Sequence, residues 1–248
     1  MSGRCRYIPG MTTATRYESV PAGTDRFDAY CAVPEGGRGP GILLFQEIFG
    51  INDNMRGLAG RLAEAGYVVL VPDMFWRIQR RFEVNDESGM GDAFAMVQKL
   101  DFAKAAEDIN SAHSHLLGLS ECDGRIGAVG FCLGGSLAFA AATNSRVDGR
   151  GPDAVVCYYG SAINDMLDQV SRLDCPALFH YGERDPYIPS EKIAEVEAAV
   201  SGRPGVEFFR YDAGHAFSNE DAPSLYDAAA AAEAWPRTLD FFARHLQG

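Results

Sequence analysis

An α/β architecture, a mostly parallel sheet covered by helices on both faces, follows from three observations on the 248-residue sequence. Short continuous apolar runs such as Tyr67-Val68-Val69-Leu70-Val71 alternate along the chain with longer helical patterns. Strands buried on both faces read as unbroken apolar runs, whereas a sheet with one wet face alternates polar and apolar residues. Glycine and proline scatter through turns without forming a linker, and no internal repeat or low-complexity stretch divides the chain. A hydrophobic content of 47% supports a sizeable core, and an α/β fold of this length is commonly one domain. The expectation is a single domain over residues 1–248, with residues 1–15 as a weakly structured N-terminal extension.

The elements are expected in this order. Strands near 26–33 and 41–45 come first, the latter carrying the wholly apolar Gly41-Ile42-Leu43-Leu44-Phe45. A helix near 55–65 leads to a strand near 67–72. The stretch from Asp73 to Gly91 is the least regular long connection and is expected to border the entrance to a site. One long helix over 91–118, a strand over 125–131 and an alanine-rich helix over 136–143 follow. Strands near 154–159, 177–181 and 206–211 alternate with helices near 190–200 and 223–246. Ligands of such sheets bind at the carboxyl ends of the strands.

Within this pattern, the run Ile126 to Val129, the turn Gly130-Phe131-Cys132-Leu133-Gly134-Gly135 and the helix starting at Ser136 have the form of a nucleophile elbow. Glycines two residues either side of the central position let strand and helix approach closely around a strained residue. The central residue is Cys132, where a serine would be the usual nucleophile. Taken alone, it also reads as a buried structural cysteine in a glycine-rich turn. Downstream, Asp185 follows the apolar run Ala177 to Tyr181, and His215 follows Val206 to Tyr211. Nucleophile, acid and histidine therefore occur in the chain order of α/β-hydrolases, each past a strand. A free thiol is only a few per cent thiolate at neutral pH, so His215 would act as its base and Asp185 would orient the imidazole. The backbone N–H of Leu133, after the nucleophile, and that of Ile48, after an early strand, are the expected oxyanion hole.

The segments Gln46-Glu47-Ile48-Phe49-Gly50, Gly130 to Gly135, Gly182-Glu183-Arg184-Asp185 with Pro189, and Gly214-His215-Ala216-Phe217 together resemble the dienelactone hydrolase, or carboxymethylenebutenolidase, family. The resemblance runs from about residue 26 to 246 and implies an α/β-hydrolase fold with a Cys132, Asp185 and His215 triad, Ile48 and Leu133 as oxyanion donors, and Glu47 as an active-site glutamate. The implied reaction is cysteine-dependent hydrolysis of small esters or lactones through an acyl-thioester. A charged Glu47 beside Cys132 would disfavour the thiolate. The family's two substrate-gripping arginines have no counterpart: their positions hold Met90 and Asn219, and Phe94 stands where a tyrosine is usual. Neither methionine nor asparagine supplies the charge and fork of an arginine. Arg77, Arg80 and Arg81 could supply a charge from another direction, although a solvated basic loop is the plainer reading.

Phe49, Phe75, Trp76, Phe94, Tyr158 and Phe217 are candidates for an apolar substrate pocket, and Asn219 for a polar contact in it. The net charge, 22 − 34 = −12, argues against a nucleic-acid partner. No run reaches the eighteen or so apolar residues of a membrane span, and Met1 to Arg6 lacks a signal-peptide core, so the cytoplasm is the expected location. The six cysteines contain no C-x-x-C, and His113 and His115 fall on different helix faces, so neither metal nor organic cofactor is expected. The expected partner is a small-molecule substrate, with the chain monomeric or homodimeric. A thiol-sensing protein and a non-catalytic binding protein on the same fold remain as alternative readings.

Overall fold

The fully buried apolar runs of the sequence form the centre of the sheet. In the computed structural model, which describes residues 13–248, these are β3 (Gly39–Phe45), β4 (Val68–Pro72), β6 (Ala154–Tyr158) and β7 (Ala177–Gly182), with every residue buried. They are joined by β5 (Cys122–Phe131) and β8 (Val206–Tyr211) in parallel pairs running β4-β3-β5-β6-β7-β8. At the other edge β2 (Asp25–Val33) and β1 (Ala14–Ala22) add antiparallel, giving an eight-stranded sheet. Each parallel connection crosses over through a helix or irregular segment, as parallel pairing requires.

The helices cover the sheet. α3 (Phe102–Leu117) and α4 (Leu133–Asn144) pack on each other and on the central strands. α1 (Asp53–Glu64) and α6 (Ala228–Leu246) lie together, with Arg61 stacked 4.3 Å over the Trp235 ring. A 3-10 segment over Ile163–Arg172 follows β6 and packs against α4 and α5 (Ser190–Val200). Among the described residues, no helix is long and apolar enough to cross a membrane.

Several boundaries differ from the expectation. Residues 1–12 of the anticipated extension lie outside the described residues, but Ala14 and Thr15 belong to β1. That strand was not legible because only Val20 on it is buried, and its polar side chains are taken up locally: Arg16 pairs with Glu121, and His115 of α3 with Glu18. The expected single helix over 91–118 is two, α2 (Met90–Gln98) and α3. Asp101 caps the second by accepting the amides of Ala103 and Lys104 at 3.0 and 3.2 Å. The last helix begins at Ala228, not 223, for the same reason: Asp227 accepts the amides of Ala229 and Ala230, each at 3.0 Å.

Candidate active site

The carboxyl ends of four parallel strands deliver the titratable side chains of the site. Glu47 lies just after β3, Cys132 directly after β5, Asp185 after β7 and His215 after β8. Cys132 has φ +55° and ψ −117°, a conformation that L-residues rarely adopt. The turn around it closes only because its neighbours are glycines. A Cβ on Gly130 would overlap the Gly134 carbonyl, and one on Gly134 would overlap the carbonyls of Phe45 and Gln46. Tyr159 and Ala216 also carry positive φ, at 36° and 53°, so three of the five such non-glycine residues among those described, the others being Arg81 and Asp148, lie around this site.

The Cys132 Sγ lies 3.0 Å from His215 Nε2, and His215 Nδ1 donates to Asp185 Oδ2 at 2.6 Å. The other carboxylate oxygen of Asp185 accepts the amides of Tyr187 and Ile188 at 2.8 and 3.1 Å, which fixes the orientation of the side chain. Burial works against a charged imidazole, but the adjoining Cys132 sulfur and the Asp185 carboxylate outweigh it and lift His215 to about 10. A proton passed from the thiol to His215 is therefore stabilised where it lands.

Glu47 is almost fully buried. Its carboxylate is bonded not to Cys132 but to the Asn219 amide, at 2.5 Å, and more weakly to the Tyr159 hydroxyl, at 3.5 Å. Burial pushes it up to about 7 against the pull of the His215 charge and the Asn219 hydrogen bond. The full negative charge expected beside the thiol is thus present only above neutral pH.

A cleft of about 190 Å³ opens over Cys132. Glu47, Ile48, Leu133 and His215 border it together with Phe49, Met90 and Phe94. Leu133 opens α4, so helix geometry leaves its N–H without an intrahelical acceptor. Of the residues expected in the pocket, Phe49 and Phe94 are there and five are elsewhere. Trp76 stacks on Phe27 at 5.5 Å and donates its indole N–H to Asp108 at 2.8 Å. Tyr158 is wholly buried, its hydroxyl 2.6 Å from Thr238 Oγ1. Phe217 is wholly buried among the rings of Tyr158, Tyr159 and Tyr211. Asn219 sits behind Glu47 and serves it rather than the cleft. Phe75 belongs to the core, edge-on to Phe82.

The sequence matches the family model described as "Dienelactone hydrolase family" over residues 27–246. The chain belongs to the dienelactone hydrolase family. A carboxymethylenebutenolidase of Rhodococcus opacus is 34% identical over 236 residues, 90% of this chain and 88% of that protein. One from Pseudomonas putida is 33% identical over 220 residues, 88% of this chain and 91% of that protein. Among solved structures, a dienelactone-hydrolase-like promiscuous phosphotriesterase from metagenomic libraries superposes with a TM-score of 0.79 at 25% identity, covering 94% of this chain and 99% of that one. This dienelactone hydrolase family member is accordingly an α/β-hydrolase-fold enzyme acting on ester or lactone bonds.

Relative to the arginines that the family resemblance led one to look for, Met90 lines the cleft and Asn219 does not. The basic loop contributes no charge to it either. Arg77 grips the Asp108 carboxylate through two bonds of 2.8 and 2.9 Å, Arg80 donates to the Arg26 carbonyl, and Arg81 pairs with Asp28. Sequence reasoning missed Tyr159, Ser218, Tyr187 and Phe102. Tyr159 and Ser218 share a 2.6 Å hydrogen bond behind Glu47. Tyr187 stands edge-on to the His215 ring at 5.1 Å, and its place two residues after Asp185 was the available signal. Phe102 gave no local signal, since its position depends on the break between α2 and α3.

The other described cysteines, Cys31, Cys122, Cys157 and Cys175, are buried, so none of them offers Cys132 an exposed resolving partner. Among the described residues, no group of three His, Cys, Asp or Glu side chains is placed to hold a metal ion.

Proposed function

We propose that this enzyme hydrolyses small uncharged esters or lactones through a thioester on Cys132. The observation that carries the reading is the relay Cys132 Sγ to His215 Nε2 to Asp185, at 3.0 and 2.6 Å, opening into an apolar cleft. His215 takes the thiol proton, and the thiolate attacks the carbonyl carbon while the carbonyl π pair moves to oxygen. The amides of Leu133 and Ile48 receive that oxyanion. Its collapse breaks the bond to the alcohol oxygen, which takes the proton from His215, leaving an acyl-thioester. Water, deprotonated by His215, then attacks the thioester carbonyl, and the Cys132 sulfur leaves and regains a proton. Asp185 holds the imidazole in the tautomer this cycle needs and stabilises its charged form.

The preference for uncharged substrates rests on the lining. Among the described residues no lysine or arginine borders the cleft, and Glu47 would repel a substrate carboxylate whenever it is ionised. Cys132→Ala and His215→Ala should each abolish turnover of p-nitrophenyl acetate and of an enol-lactone, while a lactone bearing a carboxylate should be a poorer substrate than its neutral ester. Retained turnover in both variants refutes the mechanism.

A further inference from the structure

Four large hydrophobic side chains are exposed among the described residues: Tyr17, Phe94, Phe102 and Tyr187. Tyr17 is covered in part by the Arg81 guanidinium, 4.2 Å from its ring. The other three all border the Cys132 cleft. Apolar surface left clustered at one place marks a ligand site more often than chance exposure does.

Phe102 and Ala162 do more than border that cleft. Both also wall a second cavity of about 430 Å³, so the two spaces flank the same pair of side chains. The second cavity runs between α3, α4 and the 3-10 segment. On α3, Ala106 and Ile109 continue the face begun by Phe102, at the i+4 and i+7 positions. Leu137 and Ala140 of α4 and Met166 of the 3-10 segment complete the apolar wall. Its polar groups are already engaged: Ser136 Oγ accepts the Ala162 amide at 3.0 Å, and the Asn144 side chain donates to Gln169 at 2.7 Å. Asp165 is the one charged residue bordering it among the described residues, so a carboxylate or phosphate finds no partner there, whereas hydrocarbon finds a mostly apolar wall.

We propose that this second cavity is a chain-binding subsite continuous with the Cys132 cleft, holding an aliphatic chain on the acyl or the alkyl side of the scissile ester. The proposal rests on the hydrolase reading above and extends its substrate class from small esters to esters of medium-length chain. Phe102 acts as the shoulder over which the chain passes.

The test is kcat/KM along two series, p-nitrophenyl alkanoates from acetate to octanoate and alkyl acetates from methyl to octyl. In the wild-type enzyme at least one series should rise about fourfold per buried methylene, or roughly two orders of magnitude from the four-carbon to the eight-carbon chain. Ala106→Trp and Ala140→Trp fill the cavity and should bring the eight-carbon to two-carbon ratio down toward one, with melting curves confirming folding. Phe102→Ser, at an exposed position, keeps the comparison available should the tryptophans unfold the chain, and it should lower the slope. A flat profile in both wild-type series overturns the subsite, as does a rise that folded tryptophan variants retain. Loss of the hydrolase reading would show separately, as turnover surviving in Cys132→Ala.

Discussion

Replacing Glu47 by glutamine keeps the shape of a buried side chain and removes its charge. Glutamine can still accept from Asn219 and face the Tyr159 hydroxyl, so the hydrogen bonds of the site survive. The wild-type carboxyl is held at about 7 by burial, above its ordinary 4.5. Below about pH 4.5 folded and unfolded chains both carry the proton, and the raised value costs nothing. Between there and about pH 7 the unfolded chain releases the proton while the folded one keeps it. Wild-type stability therefore falls by about 1.4 kcal/mol per pH unit across this window and is level above it. The interval from 4.5 to about 7 amounts to about 3 kcal/mol. Glu47→Gln should escape that loss. Urea unfolding at about pH 5 and about pH 8.5 should show the variant gaining about 2.5 kcal/mol on the wild type, or roughly 5 to 10 °C in Tm. A difference between the two proteins that does not change with pH refutes the reasoning. Iodoacetamide gives a second reading of the same charge. Above neutral pH ionised Glu47 opposes the thiolate, so the variant's inactivation profile should move to lower pH. An identical profile in both proteins would deny Glu47 any electrostatic hold on Cys132.

Arg77→Ala leaves the buried Asp108 carboxylate with the Trp76 indole as its remaining side-chain partner, and should cost about 2 kcal/mol in urea unfolding. Because Arg77 is turned away from the cleft, kcat/KM for p-nitrophenyl acetate should be unchanged; a fall of about tenfold in a folded variant would place the basic loop in the substrate grip. His113 is buried beside Ser145, and burial lowers it from 6.5 to about 4. Its neutral form contributes stability that is present above about pH 6.5 and lost as the pH falls toward 4. The stability difference between wild type and His113→Gln should therefore shift against the wild type by about 1.4 kcal/mol per pH unit over that window, and a constant difference there would refute it.

How much of this could be read from the chain alone depended on how local the cause was. The central strands were legible because burial on both faces writes an unbroken apolar run, and Cys132, Asp185 and His215 because each stands a few residues beyond such a run. β1 was not, since a mostly exposed edge strand has the composition of a loop. The pocket was read least well. Trp76, Tyr158 and Phe217 are large and aromatic, but which wall a side chain faces is decided by packing between elements distant in sequence. Trp76 went to Asp108, thirty-two positions away, and Tyr158 to Thr238, eighty positions away. Asn219 stands where the family resemblance implies an arginine, and its partner Glu47 lies 172 positions earlier, farther than any spacing rule reaches.

The break between α2 and α3 has a consequence for how this enzyme can change. Cys132, Asp185 and His215 are anchored at the ends of the sheet's strands, whereas Met90, Phe94, Val97 and Phe102, which line the cleft, sit on two helices outside the sheet. α2 buries only Ala93 and Met96. Selectivity and chemistry are thus written on separate stretches of chain, and a library randomised over 90–102 would explore new substrates with the reactive apparatus left intact.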